Sequence, residues 1–247
     1  MPIDEASTVS LVRVTVSNMH ATATTTRRRR GSRWAVVAAA AITAGCAHLG
    51  VSQSNPAAPA PATGSLAGLL AQVRIVDQIN PVPGYDRGCG KGHGCVFGAA
   101  WNDPLDHSGC DTRNRLLHTA LQDIEYKPGT RDCKVIAGRL VPDPYTGQAV
   151  DLKHVAVDHI VPLKAAWDAG AAQWDLQQRR IFANDMAELV AVSSSANSSK
   201  GESTPSEWLP AIGKCPYVIR YLTVTVKYHL PITIKDRAAA TAACQTD

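Results

Sequence analysis

Long hydrophobic runs are missing from this 247-residue chain. No apolar stretch reaches the roughly 20 residues that a membrane-spanning helix needs, which argues against a polytopic membrane protein. Pro (15) and Gly (18) are too few for a collagen or a low-complexity chain. Aromatics make up only 5 % and charged residues 19 %, yet the 45 % hydrophobic content is ordinary for a folded protein. A basic surface is also missing once the N-terminus is set aside. The formal charge is +4, but six arginines against Asp4 and Glu5 before Ala47 account for all of it, leaving 19 basic and 19 acidic residues. Any nucleic-acid function must therefore rest on a local site, not on bulk charge.

The N-terminal 46 residues have the layout of an export signal. Arg27 to Arg30 and Arg33 form a positive region, and the short apolar run WAVVAAAAIT (34–43) follows. Ala44, Gly45 and Cys46 then resemble a lipobox, which implies membrane anchorage through a lipidated Cys46. Cleavage by an ordinary signal peptidase is the alternative. Residues 47–64, rich in Ala, Pro and Ser, read as a flexible tether, and 65–247 as the folded domain.

Apart from Cys46, six cysteines remain, an even number that in an exported chain reads as three disulfides. Proximity suggests Cys89 with Cys95, Cys110 with Cys133, and Cys215 with Cys244. A zinc site at Cys89, His93 and Cys95 competes, but five residues separate the cysteines where two to four are usual.

Apolar spacing predicts helices over 65–79, 111–125, 164–174 (interrupted at Gly170) and 175–183. Short strands are expected over 134–141 and 148–152, joined by the turn-forming 143–147, and again over 155–161 and 189–192. Residues 193–203 are small and polar and read as a loop. Thr204, Pro205 and Glu207 then have the pattern of a helix start. The fold class is α+β.

The chemistry is expected around Asp158 and His159. A carboxylate suits a hard cation, and a neutral imidazole can take a proton from water. Alternation would send neighbours on a strand to opposite faces, so a bulge or strand end is expected there. Asn197 offers another oxygen ligand, and Lys200 a cation for a phosphate. Arg113 is a further substrate candidate, beside the helix-capping Asp111. Trp101, Trp167, Trp174 and Trp208 read as core.

The ordered set Asp158-His-Ile-Val-Pro-Leu163, Ala166-Trp-Asp-Ala-Gly170, Phe182-Ala-Asn-Asp185, Leu189-Val-Ala-Val192, Asn197-Ser-Ser-Lys-Gly201 and Ser206-Glu-Trp-Leu-Pro210 resembles the HNH (ββα-metal, His-Me finger) endonucleases. It is most similar to a secreted actinobacterial branch like the GmrSD C-terminal nuclease domain. Tyr85-Asp-Arg87, Phe97-Gly98, Trp101, Cys110-Asp-Thr-Arg-Asn114 and Asp143-Pro-Tyr-Thr-Gly147 extend the likeness. The resemblance implies a ββα-metal core within 150–210 and hydrolysis of DNA, with RNA as a further substrate. It implies His159 as general base, Asp158 and Asn197 as ligands of a divalent metal ion (Mg2+, with Mn2+ as the other option), and nucleic acid as partner. Where the family has an Asn that braces the loop, this chain has Glu188, which lacks amide donors. Asn184 is the candidate substitute for that bracing. A non-catalytic cell-envelope scaffold that keeps the nuclease fold is the competing reading.

Overall fold

The computed structural model describes residues 64–245. The export signal, the Cys46 lipobox and the tether up to residue 63 lie outside the described residues. Among those described, no helix is long and apolar enough to cross a membrane.

The architecture is mixed α+β. Helix α1 (Leu66–Gln72) starts where the Ser65 hydroxyl accepts from the Gly68 N–H. It is shorter than the apolar spacing predicts, because the chain extends at Val73 and forms β1 (Ile75–Val76). A long connection follows, and α2 (Thr112–Ala120) begins at Asp111, whose carboxylate accepts from the Asn114 N–H. The predicted helix over 111–125 is overturned in its second half. Leu121 is already extended, and β2 (Gln122–Tyr126) pairs antiparallel with β3 (Val135–Leu140). The expected hairpin then closes with β4 (Val150–Asp151), in the register Arg139 to Asp151 and Leu140 to Val150.

Strand β5 (Val155–His159) leads into α3 (Leu163–Ala169), which stops at Gly170. Gly170 has φ +141°, a conformation that side-chain-bearing residues resist. Helix α4 (Leu176–Asn184) is capped by Asp175. Strand β6 (Leu189–Ser193) returns alongside β5 in unbroken antiparallel register, from Val155 against Ser193 to His159 against Leu189. The expected loop over 193–203 is instead helix α5 (Ser194–Lys200), started by the Ser193 hydroxyl accepting from the Ala196 N–H. No helix starts at Thr204. Glu207 does reach back to accept from the Thr204 N–H, but only a turn follows. The chain ends in α6 (Lys214–Lys227), β7 (Ile232–Thr233, parallel to β1) and α7 (Ile234–Ala243).

The β5–β6 ribbon is buried on both faces, which explains its nearly continuous apolar sequence. Val155, Val157, Leu189 and Ala191 join Leu116, Leu117 and Val135 in one core. Ile160, Val190 and Val192 join Phe182, Val218 and Leu222 in a larger one. Disulfides Cys89–Cys95, Cys110–Cys133 and Cys215–Cys244 staple the periphery, as expected. The first consumes both thiolates that the zinc alternative required, and His93 faces Asp86 instead.

Candidate functional site

Asp158 and His159 are the last two residues of a regular strand, the expected strand end rather than a bulge, and alternation sends them to different partners. A cleft of about 470 Å³ nevertheless reaches both, and Asn197, Trp101 and Arg87 line it with them.

His159 is partly exposed, and its Nε2 lies 3.0 Å from the Ala183 carbonyl oxygen at the end of α4. A carbonyl only accepts, so Nε2 carries the proton and Nδ1 is left as the basic nitrogen. Burial holds the imidazole's pKa down at about 4, and the charges of Arg87 and Lys200 act the same way, against the Ala183 hydrogen bond. The ring is therefore neutral at ordinary pH. Trp101 stacks on it, with ring centroids 6.0 Å apart and planes 8° apart. Trp101 itself has φ +61°, rare for a bulky residue. Its carbonyl is fastened by the N–H and hydroxyl of Thr112, at 3.1 and 3.2 Å. It packs against the smaller core with one side and lines the cleft with the other, so the expectation of a purely core role is corrected.

Asp158 is nearly fully buried. Lys200 Nζ donates to its Oδ1 at 2.9 Å, and the Tyr145 hydroxyl donates to its Oδ2 at 2.7 Å. Burial raises its pKa, opposed by the Lys200 charge and these two hydrogen bonds. Lys200 is 1 % exposed and also donates to the His159 carbonyl oxygen at 2.7 Å. Its ammonium thus braces the strand end and neutralises Asp158, and it does not line the cleft. This corrects the expected phosphate role. Tyr145 is aimed by the 143–147 turn, where buried Asp143 accepts from the Tyr145 N–H and the Thr146 hydroxyl.

Glu188 accepts from the Val161 N–H with both carboxylate oxygens, at 3.1 and 3.2 Å, and its own carbonyl accepts from the Ile160 N–H. The exit from β5 needs an acceptor at this point, and a carboxylate supplies one without amide donors. Burial pushes the Glu188 pKa well up. Arg220 clasps the same turn from outside, donating to the carbonyls of Met186, Ala187 and Leu189. Asn184 lines the cleft but does not brace this turn: its Oδ1 accepts from Thr112 Oγ1 at 2.7 Å, and its Nδ2 donates to the Arg180 carbonyl. It ties α2 to α4. Arg113 is also displaced from its expected role; it donates to the Val155 carbonyl and is not among the cleft-lining residues.

Asp158 and Asn197 are oxygen donors of the kind Mg2+ takes, which needs only one or two carboxylates beside water and phosphate oxygens. The Asp158 carboxylate accepts from Tyr145, from Lys200 and from the His159 backbone, which leaves about one of its roughly four lone-pair positions for a cation. The donor set therefore fits a hard cation. Among the described residues no group of three His, Cys, Asp or Glu gathers, so a zinc-type cage is not present there.

Trp101, Tyr145, Arg87 and Arg220 were not singled out as site residues by sequence reasoning. Tyr145 lay within a recognised turn motif and Trp101 was a visible aromatic, but nothing local announces a partner 13 or 58 positions away.

The model of a family described as "GmrSD restriction endonucleases, C-terminal domain" matches residues 111–240. A protein of Arthroderma benhamiae described as "Uncharacterized secreted protein" is 32 % identical over 142 residues, covering 56 % of this chain and 68 % of its own. No solved structure matches. Matched over more than half its length, the chain belongs to the family of GmrSD restriction endonuclease C-terminal domains.

Proposed function

We propose that this chain is an exported endonuclease of the HNH type, with β5, β6 and α5 as its ββα core, hydrolysing phosphodiester bonds with a divalent cation. The observation that carries this reading is the state of His159: Nε2 is committed to the Ala183 carbonyl, and Nδ1 is unprotonated at neutral pH in a cleft shared with Asp158 and Asn197.

His159 Nδ1 takes a proton from water as the water attacks phosphorus. The imidazolium so formed keeps its Nε2–H on the Ala183 carbonyl, which steadies the positive charge. Trp101 holds the ring plane during this transfer. Asp158 and Asn197 would hold Mg2+ or Mn2+, which when bound supplies charge stabilisation to the phosphate and its leaving 3′ oxygen. Lys200 and Tyr145 keep the Asp158 carboxylate ionised and fixed in its buried position.

Export is supported by the N-terminal signal pattern and by the name of the secreted relative. The lipobox-like ending supports lipid anchorage through Cys46, with cleavage by an ordinary signal peptidase as the alternative. DNA is the proposed substrate, with RNA as the other nucleic acid to test.

The test is degradation of plasmid DNA by the purified chain. Cleavage is expected with Mg2+ or Mn2+ and is expected to stop reversibly on chelation. No cleavage with either metal would favour the scaffold reading; cleavage indifferent to chelator would remove the cation from the reaction.

A further inference from the structure

We propose that Arg87 is the residue that grips the nucleic-acid backbone in this cleft, binding a phosphate beside His159; the proposal rests on the nuclease reading. A phosphodiester substrate needs a cationic donor at its non-bridging oxygens, and guanidinium is the side chain best shaped for that task. The two cations expected from sequence do not face the cleft: Lys200 is buried on Asp158, and Arg113 bonds the Val155 carbonyl. Two others line it, Arg87 and Lys164. Lys164 is paired with Asp168 one helical turn away. Among the described residues no ion pair engages Arg87, although Glu202 lines the same cleft.

The surrounding loop is built to present this one side chain. Asp86 accepts from the N–H groups of Gly88 and Gly94 and faces His93, so the backbone before Arg87 is fixed. The Cys89–Cys95 disulfide and the Cys95 N–H to Gly88 carbonyl bond fix the backbone after it. A Cβ on Gly88 would lie 2.7 Å from His93 Nδ1, so a side chain there would push the His93 ring off Asp86. Tyr85 lines the cleft beside Arg87, and the two side chains interact.

This segment lies upstream of the residues 111–240 that the family model matches. A preorganised arginine of this kind selects for phosphate without selecting for sequence.

The experiment is binding of a fluorescein-labelled 20-base-pair DNA duplex in EDTA, measured by anisotropy over a range of salt, with the full chain. Arg87→Gln is expected to weaken binding and to make the slope of log K against log salt shallower by about 1, the value for one lost phosphate contact. Arg87→Lys should keep the slope and lose part of the affinity. Arg113→Gln removes the same charge outside the cleft and should leave the slope unchanged. If Arg87→Gln binds like the parent, or if only Arg113→Gln moves the slope, the proposal is overturned while the nuclease reading stands. If the parent neither binds the duplex nor cleaves it with metal, both fall together.

Discussion

The indole of Trp101 lies parallel to the imidazole of His159, with 6.0 Å between ring centroids and 8° between planes. The backbone that carries the indole is fastened, because Thr112 holds the Trp101 carbonyl by two hydrogen bonds at φ +61°. This contact is a device for holding a ring whose one hydrogen bond among the described residues is to the Ala183 carbonyl. Trp101→Ala is expected to lower kcat on the order of 10- to 100-fold, the range for a slightly misplaced catalytic group. Trp101→Phe should restore most of it, and KM should change little in either. A large rise in KM with kcat intact would make Trp101 a substrate platform instead.

The pH dependence follows from the lowered pKa of His159. The folded value is about 4 and the reference value is 6.5. Between these the unfolded chain takes up a proton at this residue that the folded chain refuses. His159 therefore makes the fold less stable as pH falls through that window, and has no such effect above it. His159→Gln should retain more of its thermal stability at pH 4.5, relative to pH 7, than the parent does. Where His159 alone limits the rate on the acid side, kcat/KM should fall near pH 4 rather than near 6.5. An acid limb at 6.5 would mean that the imidazole is not desolvated as described.

Lys200→Met should be costly. It leaves the buried Asp158 carboxylate without its cation and removes a donor to the His159 carbonyl. Breaking a buried pair from one side typically costs about 3–5 kcal/mol. Denaturant unfolding checks this, and a loss below about 1 kcal/mol, the usual size for an exposed pair, would show that the pair is solvated. Lys200→Met with Asp158→Asn should recover part of the loss.

Glu188 offers a finer test. Glu188→Gln keeps an oxygen acceptor for the Val161 N–H, and Glu188→Ala does not. The alanine variant should lose about 1–3 kcal/mol for the orphaned N–H, with the void adding to it. Glu188→Gln should lie close to the parent. Equal losses in both variants would mean that the carboxylate charge, not its acceptor oxygen, is what matters.

How far the sequence could be read varies with the range of the forces involved. The Asp111 cap, the 143–147 turn and the β5 and β6 strands are decided by neighbours along the chain, and local patterns foretell them. Helix α5 was hidden because SSANSSK has weak helix propensity; the Ser193 cap and the burial of Lys200 against Asp158 support it from outside. Strand β2 was hidden because Leu116, Leu117, Leu121 and Ile124 continue a helical spacing past the point where tertiary pairing with β3 takes over. At the site, the Asp158, His159 and Asn197 grouping was legible from motif order, and the cleft contains all three. The roles of Lys200, Arg113 and Asn184 were not, because each depends on a partner far away in sequence: Asp158, Val155 and Thr112.

The most direct measurement is nuclease activity of His159→Ala beside the parent chain, in the same Mg2+ or Mn2+ buffer, with the fold checked by circular dichroism. Loss of a general base predicts a fall of about 10²- to 10⁴-fold in cleavage rate with the spectrum unchanged. A folded variant that cuts as fast as the parent would contradict the assignment of His159 as the base.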